Sequence, residues 1–111
     1  MGVASATIHA GICGFVTRVR AEADDEYTVR LAVESDCQKV RAYTAGLGPL
    51  NVLEELGKRH DATVLVAARD PRHGSCAGCV TPAGIYKAMQ VAAGLALPAE
   101  SVVELSQEGS Q

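Results

Sequence analysis

Residues 14–34, GFVTRVRAEADDEYTVRLAVE, alternate between apolar and charged side chains on both sides of an acidic turn at Asp24 and Asp25. The apolar positions are Phe15, Thr17, Val19, Ala21, Tyr27, Val29, Leu31 and Val33. The charged positions between them are Arg18, Arg20, Arg30 and Glu34. An antiparallel strand pair with one buried face and one solvated face has this period of two. The stretch therefore predicts a β-hairpin.

Three further stretches have the composition of strands. Residues 4–12, ASATIHAGI, place alanine and isoleucine on one face and serine, threonine and histidine on the other, which predicts a half-buried strand before the hairpin. Residues 62–68, ATVLVAA, form a β-branched run of strand length, and residues 101–107, SVVELSQ, are suited to a last strand.

Two short helices are predicted between the hairpin and residue 62. Ser35 and Gln38 have the spacing of a capping box, and the helix that follows is expected to end before Gly46. Pro49 restarts a helix through LNVLEELG, which is expected to end at Gly57.

A third helix is predicted after Thr81, with Pro82 at its first position and Pro98 as its end. Its apolar positions recur at helical spacing: Ile85, Ala88, Met89, Ala92 and Leu95. The sequence thus predicts an α+β fold, with an antiparallel sheet of about three strands at the N-terminus and helices packed on one face. The length of 111 residues, without repeat or linker, predicts a single domain over residues 1–111.

Composition argues against several classes of function. The formal net charge is −3 and aromatic residues make up 4%, so no basic footprint or stacking platform for nucleic acid is expected. No apolar run approaches the roughly 18 to 20 residues that span a bilayer, and the N-terminal residues lack the charged region of a secretory signal. The chain is therefore predicted to be cytoplasmic, without membrane or nucleic-acid partners. In a reducing compartment its cysteines favour metal or redox chemistry over disulfides.

The four cysteines are the strongest functional signal. Cys13 follows the first predicted strand, Cys37 lies at the start of the first helix, and Cys76 and Cys79 lie in the loop that enters the third helix. A thiolate is the form that binds soft metals, and helix N-termini favour it. A free cysteine can instead pack as a small hydrophobe, but none of the four lies at a clear core position. The pattern predicts a metal site made of all four.

Other polar residues carry weaker signals. His73, in the loop before Cys76, is a further candidate ligand, although a loop histidine is more often solvated, and His9 and His60 are expected to be bystanders. The arginines of the hairpin suit a charged outer sheet face, and the pair Glu54-Glu55 suits a solvated helix face. No paired carboxylate or nucleophile–base set stands out, so the case for an enzyme is weak.

The order of these elements resembles the NifU/IscU-like iron–sulfur scaffold domain. The similarity is carried by the Cys-Gly pair at Cys13 before the hairpin, by Cys37 at a helix start, and by Cys79 before the alanine-rich segment at 80–94. The resemblance implies iron–sulfur cluster binding and a protein partner for cluster transfer. The chain also resembles small, uncharacterised four-cysteine proteins of anaerobic prokaryotes, a similarity that carries no known activity.

Three functions remain open at this stage. The first is a non-enzymatic protein that binds an iron–sulfur cluster or zinc through the four thiolates. The second is a thiol–disulfide oxidoreductase that uses Cys76 and Cys79 at a helix N-terminus. The third is a small interaction module whose zinc is only structural.

Overall fold

The computed structural model describes residues 2–109. Its four strands form one antiparallel sheet in the order of the chain: β1 (Gly2–His9), β2 (Val16–Ala23), β3 (Thr28–Ser35) and β4 (Leu50–Asn51). The α-helices are α1 (Gln38–Thr44), α2 (Val52–Lys58), α3 (Thr63–Ala68) and α4 (Thr81–Ala92). A short 3₁₀ helix at Arg59–Asp61 connects α2 to α3. The predicted α+β fold, with an N-terminal antiparallel sheet and helices packed against it, is confirmed.

The alternation of residues 14–34 sets the inner face of the sheet. Val19 lies between Ala6 of β1 and Val33 of β3, and Ile8 lies opposite Thr17. These side chains and the apolar sides of the helices form one core, whose buried members are Ala4, Ile8, Val19, Ala21, Val29, Val40, Tyr43, Val52, Val64, Ala68, Ile85, Ala88, Met89, Ala92 and Ala93. The predicted hairpin is confirmed, but two of its predicted apolar positions, Phe15 and Tyr27, are exposed.

Helix α4 runs antiparallel to β1 across the inner face. A methyl group added to Gly84, near the start of α4, would lie 2.6 Å from Cδ1 of Ile8, near the end of β1. A methyl group added to Gly2 would lie 3.1 Å from the carbonyl oxygen of Ala92, the last residue of the helix. The close approach allowed by these two glycines seats α4 on the sheet, and the N-terminus of α4 therefore lies beside the end of β1.

The strand predicted over residues 62–68 is wrong, because Thr63–Ala68 form α3. A short run of valine and alanine fits either a strand or a buried helix, and the surrounding structure decides between them. Here Val64 and Ala68, four positions apart, are the buried residues of the helix. The Glu55 side chain of α2 accepts the backbone N–H of Thr63 at its N-terminus. Tertiary contacts thus override the β-propensity of the run.

The predicted strand over 101–107 is also wrong for the single chain. Residues 101–107 have no regular secondary structure, and all residues from Gly94 to Gly109 are exposed. The first strand covers Gly2–His9 instead of 4–12, because the chain turns at Gly11, whose φ is +108°. That turn also leaves Ile12 exposed.

The helices begin and end somewhat differently from the predictions. The Ser35 hydroxyl accepts a hydrogen bond from the backbone of Cys37, which is itself the N-cap of α1, so the predicted capping box is wrong. Asn51 caps α2 by accepting the N–H of Glu54 at 3.1 Å. Helix α4 ends at Ala92 and not at Pro98. The cause is Gly94, which adopts a φ of +76°, the left-handed conformation that ends many helices.

Glu55 was predicted to be solvated, and this is wrong because its side chain is 2% exposed. Its carboxylate accepts hydrogen bonds from the backbone N–H of Thr63 at 2.5 Å, from the Thr63 hydroxyl at 2.9 Å and from Lys58 Nζ at 3.0 Å. Burial by itself would raise the pKa of Glu55, but these hydrogen bonds and the Lys58 charge together lower it below its ordinary value. Glu55 thus joins α2 to the first turn of α3.

Among residues 2–109, no helix is both long enough and apolar enough to cross a membrane.

Candidate functional site

All four cysteines lie beyond the same end of the sheet, which we call the cysteine end. Strands β1 and β3 finish at this end and β2 begins there. Cys13 lies in the turn between β1 and β2, and Cys37 follows β3 after one residue. Cys76 and Cys79 precede the start of α4, which lies beside the end of β1. Three segments that are distant in sequence therefore bring their thiols to one region of the fold.

The backbone of Cys37 is held by the last residue of β3. The Ser35 hydroxyl accepts the N–H of Cys37 at 3.1 Å and shares a hydrogen bond with the Thr17 hydroxyl at 2.7 Å. Arg41 donates to the Ser35 carbonyl at 2.7 Å, and its own N–H bonds the Cys37 carbonyl at 3.1 Å. Cys37 is half-buried and packs against the core. Its position is fixed by the sheet and not by loop conformation alone.

The segment before Cys76 folds back on α3. Gly74 donates its N–H to the Asp70 carbonyl at 2.7 Å, and Ser75 donates to the Ala68 carbonyl at 2.8 Å. The Asp70 carboxylate accepts the backbone N–H of Arg72 at 2.7 Å and that of the following residue at 3.2 Å. These two hydrogen bonds lower the pKa of Asp70. These hydrogen bonds to the end of α3 thus fix the position of the backbone just before Cys76.

Cys76 and Cys79 occupy the two ends of one tight turn. The N–H of Cys79 bonds the Cys76 carbonyl at 3.1 Å. The sulfur of Cys79 accepts the N–H of Thr81, the first residue of α4, at 3.4 Å, and Nζ of Lys39 lies 3.4 Å from the sulfur of Cys76. Donors of both kinds bind a negatively charged sulfur more strongly than a neutral one. The turn therefore has one nitrogen donor beside each of its two sulfurs.

Cys13 lies in an exposed turn bounded by two glycines. Gly11 and Gly14 have φ values of +108° and +76°, and the N–H of Gly14 bonds the Gly11 carbonyl at 2.9 Å. Asp36, the residue before the second cysteine, donates its N–H to the Val16 carbonyl at 3.3 Å, just after this turn. The turn carrying Cys13 is thus attached next to the start of α1.

Tyr43 lies beneath this region with its hydroxyl buried. The residue is 5% exposed, and its hydroxyl has no hydrogen-bond partner among residues 2–109. Burial raises the pKa of Tyr43 well above its ordinary range, and the nearby Cys79 and Cys37 raise it further. The phenol on α1 therefore has a buried hydroxyl without a partner, on the helix that follows Cys37.

The cysteines are free in this structure, and no disulfide joins them within the described chain. Across residues 2–109, no three side chains of cysteine, histidine, aspartate or glutamate are arranged to hold one metal ion. The fold thus gathers the thiols at one end of the sheet without closing them into a complete coordination shell.

His73 lines a groove of about 500 Å³ between α1 and α3, which Tyr43 also lines. It is exposed, and only its backbone N–H is engaged, with Asp70. His9 and His60 are also exposed.

Sequence patterns did not indicate two residues of this site, Lys39 and Tyr43. Tyr43 has the spacing of an ordinary core position on α1, so nothing in the sequence distinguishes its hydroxyl from that of any half-buried tyrosine. Lys39 is an exposed helix residue 37 positions from Cys76. Only the folding of α1 against the α4 loop brings the two together.

A family model described as a family of unknown function (DUF6951) matches residues 4–105, a range that includes all four cysteines. No curated protein and no solved structure matches the chain. The resemblance to the NifU/IscU-like iron–sulfur scaffold domain is therefore wrong, because the matching family is a different one. The features that suggested it, cysteines in a hairpin turn and at helix starts, are compatible with many α+β proteins. Because the match spans nearly the whole chain, this protein belongs to the DUF6951 family.

Proposed function

We propose that the protein binds a soft metal, as zinc or as an iron–sulfur cluster, through Cys13, Cys37, Cys76 and Cys79. The observation that carries this proposal is the meeting of three cysteine-bearing segments at one end of the sheet. Cysteines placed for packing alone would have no reason to share that end, whereas a common ligand requires it.

The chemistry of the site suits thiolate ligands. Four thiolates around a divalent cation leave an excess of two negative charges, and zinc and iron–sulfur clusters both accept four cysteine ligands. The Lys39 ammonium group at Cys76 and the Thr81 N–H at Cys79 are placed to offset part of that charge. The Tyr43 hydroxyl is buried without a partner, and we assign it as a donor to the sulfur of Cys37 or Cys79 once the metal is bound.

The four cysteines would have different parts in binding. Cys37 and Cys79 are half-buried, and local hydrogen bonds hold them, so they would form the fixed half of the site. Cys13 and Cys76 are exposed, and neither side chain is part of the core. Rotation of these two side chains and adjustment of the Cys13 turn would complete the shell at little cost in packing. Metal binding of this kind stabilises the folded chain, because the unfolded chain lacks the assembled site.

The test is the metal content of protein purified without oxygen, compared with that of Cys37→Ser. We expect bound zinc, or iron with sulfide and a brown colour, in the parent protein. Cys37→Ser should bind the metal much more weakly or hold a degraded cluster, because the fixed half of the site loses a soft ligand. Gln38→Ala, an exposed change at the next position, is the matched control and should keep the metal. Equal metal content in Cys37→Ser and the parent would contradict the proposal.

A second function, thiol–disulfide exchange, is favoured by one specific contact. Cys76 is exposed and has Lys39 beside its sulfur, while Cys79 lies at the other end of the same turn. An attacking thiolate and a resolving thiol require this arrangement. If exchange is the function, Cys79→Ser abolishes reduction of a model disulfide, and Cys37→Ser leaves the redox potential unchanged.

A further inference from the structure

Strand β1 has a free edge along its whole length. It is the terminal strand of the sheet and pairs only with β2. The N–H of Ala10 donates to the Phe15 carbonyl at 3.2 Å, toward β2. The backbone N–H and C=O groups of the even-numbered residues of β1 therefore point toward β2, and those of the odd-numbered residues point toward the free edge. Among the hydrogen bonds of residues 2–109, none uses the backbone of Ser5 or Thr7 at this outer edge. Such an edge accepts an added strand.

A second feature of the chain is the exposed segment, residues 95–109, which follows α4. It has no regular secondary structure, and its apolar side chains lie in solvent, with Val103 68% and Leu105 90% exposed. When extended, the segment would be amphipathic. Val103 and Leu105 would share one face, while Glu100, Glu104 and Glu108 would share the other with a single apolar residue between them, Val102.

We propose that the exposed segment adds as a fifth strand to the free edge of β1 in a second copy of this chain, with the exchange reciprocal in a two-fold dimer. The lengths match, since residues 101–107 are about as long as β1, Gly2–His9. Residues 101–107 have the composition of a strand but pair with no strand in the single chain. The free edge of β1 is where such a strand could pair.

The charges of the two surfaces are complementary. On the outer face of the sheet, Arg18 and Arg20 of β2 lie opposite Thr7 and Ser5 of β1. A strand docked on β1 lies two strand spacings, about 10 Å, from β2. The small side chains of β1 leave space for arginine to reach across that distance. Glu104, on the acidic face of the docked segment, would then meet Arg18, which lies opposite Glu34 of β3 but makes no salt bridge with it or with any other residue within residues 2–109.

The opposite orientation is disfavoured. With Val103 and Leu105 on the arginine side, the apolar side chains would remain in solvent and the glutamates would face the inner side of the sheet, where Ala6 and α4 lie. The amphipathic pattern therefore selects the orientation as well as the partner.

The covalent connection permits exchange between copies. Gly94, with a φ of +76°, turns the chain away from α4, whose end lies beside the start of β1. Residues 95–100, when extended, reach about 20 Å. That reach suffices to cross to a neighbouring molecule whose β1 lies alongside.

The test is the solution mass of the full chain, measured by light scattering over a range of micromolar to millimolar concentrations. We expect a dimer of twice 11.5 kDa. Leu105→Asp should weaken dimerisation by about tenfold or more, since it places a charge on the apolar face. Ser106→Asp, on the acidic face, is the matched control and should remain dimeric. Because the segment is exposed in the single chain, neither change should impair folding.

A substitution on the other partner completes the test. Thr7→Pro removes an N–H that faces the free edge and leaves the ladder to β2 intact, so the domain should fold but remain monomeric. If Thr7→Pro does not fold, the comparison of solution mass between Leu105→Asp and Ser106→Asp still tests the proposal. A parent protein that is monomeric throughout the range, or a dimer that persists in Leu105→Asp, would overturn the proposal. Neither outcome bears on the metal content of the cysteine end.

Discussion

Replacing Tyr43 with phenylalanine should stabilise the metal-free protein. The hydroxyl is buried, and no partner accepts its proton or donates to its oxygen within residues 2–109. A buried polar group without a hydrogen bond destabilises the folded state by about 1–3 kcal/mol relative to its hydrated form in the unfolded chain. Phenylalanine keeps the ring and its packing against the core and removes only the oxygen.

We therefore expect Tyr43→Phe to raise the free energy of unfolding by about 1 kcal/mol, the lower end of that range, because the lost oxygen leaves a small gap. For a chain of this length such a change moves the midpoint of thermal unfolding by roughly 4 °C. The assay is urea and thermal unfolding followed by circular dichroism, in the presence of a chelator. Tyr27→Phe, at a more exposed position, is the control and should change stability little.

A decrease in the stability of metal-free Tyr43→Phe would refute this reasoning, since it would show that the hydroxyl is hydrogen-bonded in the folded protein. With metal bound, we expect Tyr43→Phe to have a lower free energy of unfolding than the parent protein. If the hydroxyl donates to the sulfur of Cys37 or Cys79 in the loaded site, Tyr43→Phe loses that bond and gains less stability from metal than the parent does. The same metal-dependent gain in both proteins would show that Tyr43 has no part in binding.

Two further substitutions test how the loops and helices are held. Glu55→Gln should lower stability by about 1–3 kcal/mol at neutral pH, because the carboxylate that caps α3 at Thr63 loses its charge. The pKa of Glu55 is lowered in the folded state, so the carboxylate contributes its stability above its unfolded pKa of about 4.3 and loses it as the pH falls through the folded value. Urea titrations at pH 7 and pH 3, with exposed Glu54→Gln as control, should show a smaller difference at pH 3 than at pH 7. The same deficit at both pH values would contradict the charge argument. Gly74→Ala should destabilise by about 1–3 kcal/mol, because an added methyl group collides with the backbone of Ala68 and Asp70. Gly78→Ala, which meets nothing within 4 Å, should be nearly neutral in the same urea assay, and equal stability of the two variants would disprove the clash.

Local pattern predicted the sheet well. The period of two in residues 14–34 fixes which side chains face inward, because a shift by one residue would expose the whole apolar set. This alternation correctly predicted β2, β3 and their antiparallel pairing, and the alternation of residues 4–12 predicted most of β1. The proline and apolar spacing at 81–92 likewise predicted α4.

Local pattern failed where two structures suit the same residues. The run at 62–68 is compatible with a strand or a helix, and its helix depends on a carboxylate from α2, Glu55, that is buried at its N-terminus. The same contact explains why Glu55 is buried although its neighbour Glu54 is exposed. No property of residues 62–68 alone contains that information.

The sequence by itself determined that four thiols lie in turns and at helix starts, since glycine, proline and the ends of the alternating runs mark those positions along the chain. Tertiary structure decided that these positions lie at one end of the sheet, because the direction of α4 along β1 follows from packing between Gly84 and Ile8. It also buried the Tyr43 hydroxyl without a partner and placed Lys39 beside the sulfur of Cys76. Proximity between distant segments depends on how their surfaces fit together, and a local pattern carries only the preferences of each segment.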